Sequence, residues 1–181
     1  MNMDHFWEEV AVKQKNGLNR LAYMVSWVIL VISALMAMMS LSGIMGEGGF
    51  NPVALITTLV FGGIAVYIFL FHDRLLTEYE YTFTNGALDF AEVYNNKKRK
   101  SLGSLNVKTV DAFGKVNSGA FNRYLNMPGI KRMNWFLNRE AELYFFCFSK
   151  DSNKKMIIFE PSEELVGLIR QYLPYGAYQE H

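Results

Sequence analysis

Residues 77–100 read TEYEYTFTNGALDFAEVYNNKKRK, and the fold turns on how this stretch divides. Glu78, Glu80, Thr82 and Thr84 alternate with Tyr79, Tyr81 and Phe83. That period of two predicts a strand with one wet face and one buried face. Asn85-Gly86 follows, the strongest short hairpin signal, because both central residues of a type I′ turn need positive φ. A second strand is expected from Ala87 to Tyr94. NNKKRK is polar enough for another turn and places four cations, Lys97, Lys98, Arg99 and Lys100, side by side. Beyond it, SLGSLNVKTVDAFGKV predicts one or two short strands, around residues 102–105 and 107–113. The stretch opens an antiparallel meander.

Further along, ELYFFCFS (142–149) is apolar on both faces, KDSN reads as a turn, and KKMIIFE returns. Such a hairpin belongs in the middle of a sheet. The period then changes in PSEELVGLIRQYLP. Leu165, Leu168, Ile169 and Tyr172 share one helical face, Ser162 can cap, Glu163 and Glu164 suit the N-terminal dipole, and Pro174 stops the helix. Residues 115–135 are long, Asn-rich and weakly periodic, so no strands are assigned there.

Upstream, residues 21–45 carry no charged side chain and exceed the roughly 20 apolar residues that span a hydrocarbon core. Residues 52–71 form a second apolar run after the short GEGGFN, with Asn51 as N-cap and Pro52 at the first helical position. The expectation is a transmembrane hairpin over 21–72. A cleaved signal peptide fits less well, since its apolar core is about 7–15 residues long. Small residues mark a packing seam: Ser26, Ser33, Ala37 and Ser40 on one helix, Ala54, Thr58, Gly62 and Ala65 on the other. Lys13, Lys15, Arg20 and Arg74 flank the spans, whereas the connection holds only Glu47, so both termini are expected in the cytoplasm of a multi-pass cell-membrane protein. Residues 1–20 form an arm, read either as a short interfacial helix capped by Asp4, with Phe6, Trp7 and Val10 toward the headgroups, or as a frayed tail.

Strands followed by one amphipathic helix resemble the pleckstrin-homology-like (PH-like) domain. More narrowly, EYEYTFTNGALDF, KKRK, VKTVDAFG and IIFEPSEELVGLIRQYLP resemble the bacterial PH-like domains of small membrane proteins with two preceding spans. The resemblance implies an α+β chain: the hairpin, then a cytoplasmic domain over 73–181 built as an antiparallel β-barrel or sandwich capped by the C-terminal helix. It carries no agreed activity.

The chemistry-bearing residues point away from catalysis. A net charge of +1 excludes a globally basic nucleic-acid binder. His5, His72 and His181 are scattered, Cys147 stands alone in an apolar strand, and no zinc spacing, Walker loop or nucleophile elbow occurs. No catalytic, cofactor or metal residue is assigned. Two stretches remain as contact candidates: Lys97, Lys98, Arg99 and Lys100, and within 115–136 the interleaved Arg123, Tyr124, Lys131, Arg132 and Trp135. The expected role is a membrane-anchored, non-enzymatic interaction or scaffold module with a protein partner. The alternative is a sensor of anionic lipid headgroups that uses those two stretches.

Overall fold

The computed structural model describes residues 5–46, 49–150 and 153–179. Asp4, Glu47, the Asp151 and Ser152 of the expected turn, and His181 lie outside them. The chain divides into two compact units, Lys15–Thr77 on the one hand and Met1–Gln14 with Glu78–His181 on the other.

In chain order come β1 (Phe6–Ala11), α1 (Gly17–Ser42), the two-residue strands β2 (Met45–Gly46) and β3 (Gly49–Phe50), and α2 (Pro52–Phe71). Both helices are long and apolar enough to cross a membrane. The first starts at Gly17 and takes Arg20 into its opening turn, so it begins and ends about one turn earlier than its apolar run alone suggests. Asn51 caps α2, its Oδ1 accepting from the amides of Val53 at 3.1 Å and Ala54 at 3.2 Å, with Pro52 at the first position. The small-residue seam joins the two helices. Ser33 is buried, a Cβ on Gly62 would lie 4.0 Å from the Ala37 methyl, and one on Gly43 would lie 3.7 Å from that of Ala54. Backbones approach closely where side chains are smallest.

The sheet unit continues with β4 (Thr77–Thr84), β5 (Ala87–Tyr94), β6 (Lys98–Asn106), β7 (Ala112–Lys115), α3 (Gly119–Leu125), β8 (Lys131–Trp135), β9 (Tyr144–Lys150), β10 (Asn153–Phe159), α4 (Glu163–Tyr172) and β11 (Tyr178–Gln179). Asn85 and Gly86 have φ of 51° and 95°, as a type I′ hairpin requires. One sheet is ordered β1-β4-β5-β6 and the other β11-β7-β9-β10-β8, so β9 and β10 are interior strands. Residues 144–148 are accordingly buried on both faces.

Three expectations are corrected. The N-terminal arm is neither helix nor tail over Phe6–Ala11: it is a strand paired antiparallel with β4, from Phe6 opposite Thr84 to Ala11 opposite Tyr79. Its own alternation explains why, because Trp7 packs against the main core and Ala11 joins it, while Phe6 and Val10 are exposed. Residues 115–135 are not an irregular loop. Ser118 Oγ caps α3 by accepting from Phe121 N at 3.3 Å, and β8 lies parallel to β10 with Lys131 opposite Lys155. A parallel edge strand of five residues leaves little periodic signal. The strands also do not close into a barrel: one sheet ends on β1 and β6, the other on β11 and β8. Between β6 and β8 a side chain stands in place of backbone pairing. The Trp135 ring lies 3.6 Å from where a Cβ would sit on Gly103 of β6.

The main core gathers Tyr81, Phe83, Leu88, Phe90, Phe113, Phe146 and Phe159 with Leu165 and Ile169 of α4. Phe90 and Phe159 meet edge-to-face at 5.6 Å, a favoured arrangement for aromatic pairs. A second, smaller cluster lies on the opposite face of the five-stranded sheet, where Phe121, Phe145, Cys147, Met156 and Ile158 pack together with half-buried Tyr124.

Candidate functional site

The four-cation stretch does not form a turn of cations. Asn95 and Asn96, at φ of 50° and 53°, make the turn with Lys97, and Lys98, Arg99 and Lys100 begin β6. Asn tolerates positive φ where Lys and Arg do not, so the turn settles on the asparagines and the cations extend as strand. Consecutive strand residues point to opposite faces. Arg99 reaches Glu80 at 3.1 Å and Lys100 reaches Glu92 at 3.8 Å.

Glu80 stands on the face expected to be wet, yet it is buried. Burial raises its pKa above the usual carboxylate range, a hydrogen bond with the Glu8 side chain adds to the rise, and the Arg99 guanidinium opposes it. The partner strand missing from the sequence reading supplies that Glu8.

The second candidate set is dispersed. Arg123 donates from Nη2 to Gln179 Oε1 at 3.1 Å and lies over the Tyr124 ring, which itself packs against Phe145. Lys131 and Arg132 are exposed on β8. Trp135 turns inward: its ring packs on Phe90 at 4.8 Å, and its carbonyl accepts from the Tyr81 hydroxyl. Aromatic and basic residues adjacent in sequence are thus divided between core and surface.

A different set of side chains converges where β1 meets the start of α4. Glu9 accepts from Ser162 N at 3.0 Å, from Ser162 Oγ, and from Trp7 Nε1 at 3.0 Å. Asn138 accepts from Gln14 N at 2.9 Å and donates to Val12 O at 2.8 Å and to Glu160 Oε1 at 2.8 Å. At the other end of α4, the Tyr172 hydroxyl meets His5 Nδ1 at 3.0 Å. A groove of about 490 Å³ lies beside this clasp, lined in part by Glu9, Val10, Val12, Glu142, Glu160 and Glu163. These residues are spread over four parts of the chain, and only the alternation in FWEEVA hinted that the first of them belonged to a strand.

Among the described residues no group of three or more His, Cys, Asp or Glu is placed to hold a metal. Cys147 is buried, and burial together with the charge of Asp111 raises its thiol pKa.

Two antiparallel-rich sheets and a following amphipathic helix, in a chain with two long apolar helices, make this an α+β protein of the PH-like class. The chain belongs to the bacterial PH-like domain family DUF6106, whose profile matches residues 3–179. No curated protein and no solved structure matches it.

Proposed function

We propose that the protein is a membrane-anchored, non-enzymatic interaction module that holds its PH-like unit at the cytoplasmic surface of the cell membrane for a protein partner. The observation that carries this is the apolar pair α1 and α2 placed directly before β4 in a PH-like chain, with Lys13, Lys15, Arg20 and Arg74 near their flanks. Cations resist translocation, so this distribution supports a reading with both termini inside. In the same reading α4 covers one end of the paired sheets, supported by the complete burial of Leu165 and Ile169. Asn96, in an exposed turn, reports the orientation. An Asn96→Cys variant of the full chain should resist an impermeant maleimide in intact cells and react after permeabilisation; labelling in intact cells refutes the orientation. Crosslinking in cells, followed by identification of co-purified proteins and lipids, tests the partner.

The anionic-lipid reading keeps one specific support, the exposed cations of β6 and β8. Each cation near an anionic surface contributes about 1 kcal/mol, so four together give at most about 4 kcal/mol. Glu80 beside Arg99 and Glu92 beside Lys100 reduce that local charge. We therefore favour the protein partner. Replacing Lys97, Lys98, Arg99 and Lys100 by Ser should leave the full chain in the membrane fraction, and under the lipid reading it should also weaken recruitment of added anionic vesicles at low salt.

A further inference from the structure

The groove beside β1 bears on what chemistry a partner would need. His5 O accepts from Asn85 N on the β4 side, so the strand period turns the backbone groups of Trp7, Glu9 and Ala11 toward β4 and those of Glu8, Val10 and Val12 away from it. The carbonyl of Val12 is taken by the Asn138 amide at 2.8 Å, and Gln14 N by the Asn138 carbonyl at 2.9 Å, as a neighbouring strand would take them. That substitute for a strand stops at Val12. Val10, 48% exposed, lies next along the same edge. The groove is bordered by residues of both parities, from Glu9 to Val12, so it follows the edge of β1 rather than one face of the sheet.

Its chemistry is one-sided. Glu9, Glu142, Glu160 and Glu163 line it, and among the described residues no Lys or Arg does. Three of these carboxylates are already held in place: Glu9 by Ser162, Glu160 by Asn138 and Glu142 by Lys115. An ionised carboxylate has about four acceptor sites, so Glu142 and Glu160, each holding two donors, still receive another, whereas Glu9 already holds three. Glu163 is exposed in the first turn of α4. An open strand edge offers main-chain hydrogen bonds, and pockets for alternate side chains add selectivity.

We propose that this groove takes an extended basic segment of a partner protein, added as a strand along β1 at Val10 with its Lys or Arg side chains over Glu142, Glu160 and Glu163. The proposal rests on the interaction-module reading and specifies its partner. An anionic membrane surface is repelled by the same carboxylates.

The test uses the full chain in phosphatidylcholine nanodiscs and a fluorescein-labelled nine-residue peptide alternating Lys and Thr, with a Glu and Thr peptide as control. Anisotropy should report binding of the Lys peptide alone, weakened by salt. Glu163→Lys, at an exposed side chain, should lower the affinity about tenfold, equivalent to about 1.4 kcal/mol. Val10→Pro removes an N–H that faces away from β4 and should abolish binding; because Pro can also disturb β1, its melting curve is recorded alongside, and Glu163→Lys decides if β1 is lost. Equal binding of both peptides, or a Lys peptide indifferent to Glu163→Lys, overturns the proposal. A photocrosslinker placed in cells at position 10 or at exposed position 175 separates the two levels. Protein adducts from position 175 without any from position 10 overturn the groove and leave the interaction module standing. Adducts from neither position overturn both, and adducts from position 10 that disappear with Glu163→Lys support both.

Discussion

Leu165→Ala tests how much of the sheet unit depends on α4. Leu165 is fully buried in the main core together with Ile169, while Leu168 only flanks it and Arg170 is exposed. Truncating a buried Leu costs about 2–5 kcal/mol, transfer and cavity terms together. Domains of this kind are stable by about 5–15 kcal/mol. Ala is a better helix former than Leu, so the loss cannot come from helix propensity. At about 4 °C per kcal/mol for a unit near 100 residues, the melting temperature should fall by roughly 8–20 °C. The assay is thermal unfolding of the full chain in detergent micelles, followed by tryptophan fluorescence. Trp7 and Trp135 both pack against the main core and report it, while Trp27 in α1 contributes a background. Leu168→Ala should cost less, and Arg170→Ala, which loses a contact of 4.2 Å with the Tyr178 ring, should cost least. A Leu165→Ala protein that melts with Arg170→Ala refutes the packing of α4 on the core. Any shortened protein made for such work must retain residues 5–14, since a fragment starting at Asp73 lacks β1 and leaves the edge of β4 open.

Cys147 should stay unmodified by a thiol reagent until the sheet unit unfolds, because burial both shields it and disfavours its thiolate; rapid modification of the native protein contradicts this. Glu80 has a folded pKa raised above its ordinary value of 4.5, so the native state holds the proton more tightly than the unfolded chain. The resulting stability is present in full below pH 4.5 and is lost as pH rises through the raised value. Melting temperatures recorded from pH 4 upward, across that same window, should show this decline in the native sequence and a shallower one in Glu80→Gln. Gly114→Ala should loosen β11, since the new Cβ would stand 2.7 Å from Gln179 O. Amide exchange at Phe113 N, bonded to Ala177 O at 2.8 Å, should quicken, and unchanged protection there counts against the contact.

Local chemistry made much of this chain readable. Asn85-Gly86, Asn51-Pro52 and Ser162 act through their own backbone neighbours, so their turn and caps were legible wherever they occur. The two apolar runs and the doubly apolar 144–148 were equally plain, because burial on every side leaves no polar residue to interrupt the pattern. Tertiary structure decided the rest. FWEEVA is too short to hold any structure alone, and it became a strand because the open edge of β4, distant in sequence, satisfies its backbone. The same pairing buried Glu80, which period-two reading had placed in water, since alternation assigns a face and not what covers it. KKRK showed its charge but not its partners, because Glu80 and Glu92 meet it across the sheet. The acidic groove was wholly invisible in one dimension: its carboxylates come from Glu9, Glu142, Glu160 and Glu163, and only the return of the chain past β1 gathers them into one field.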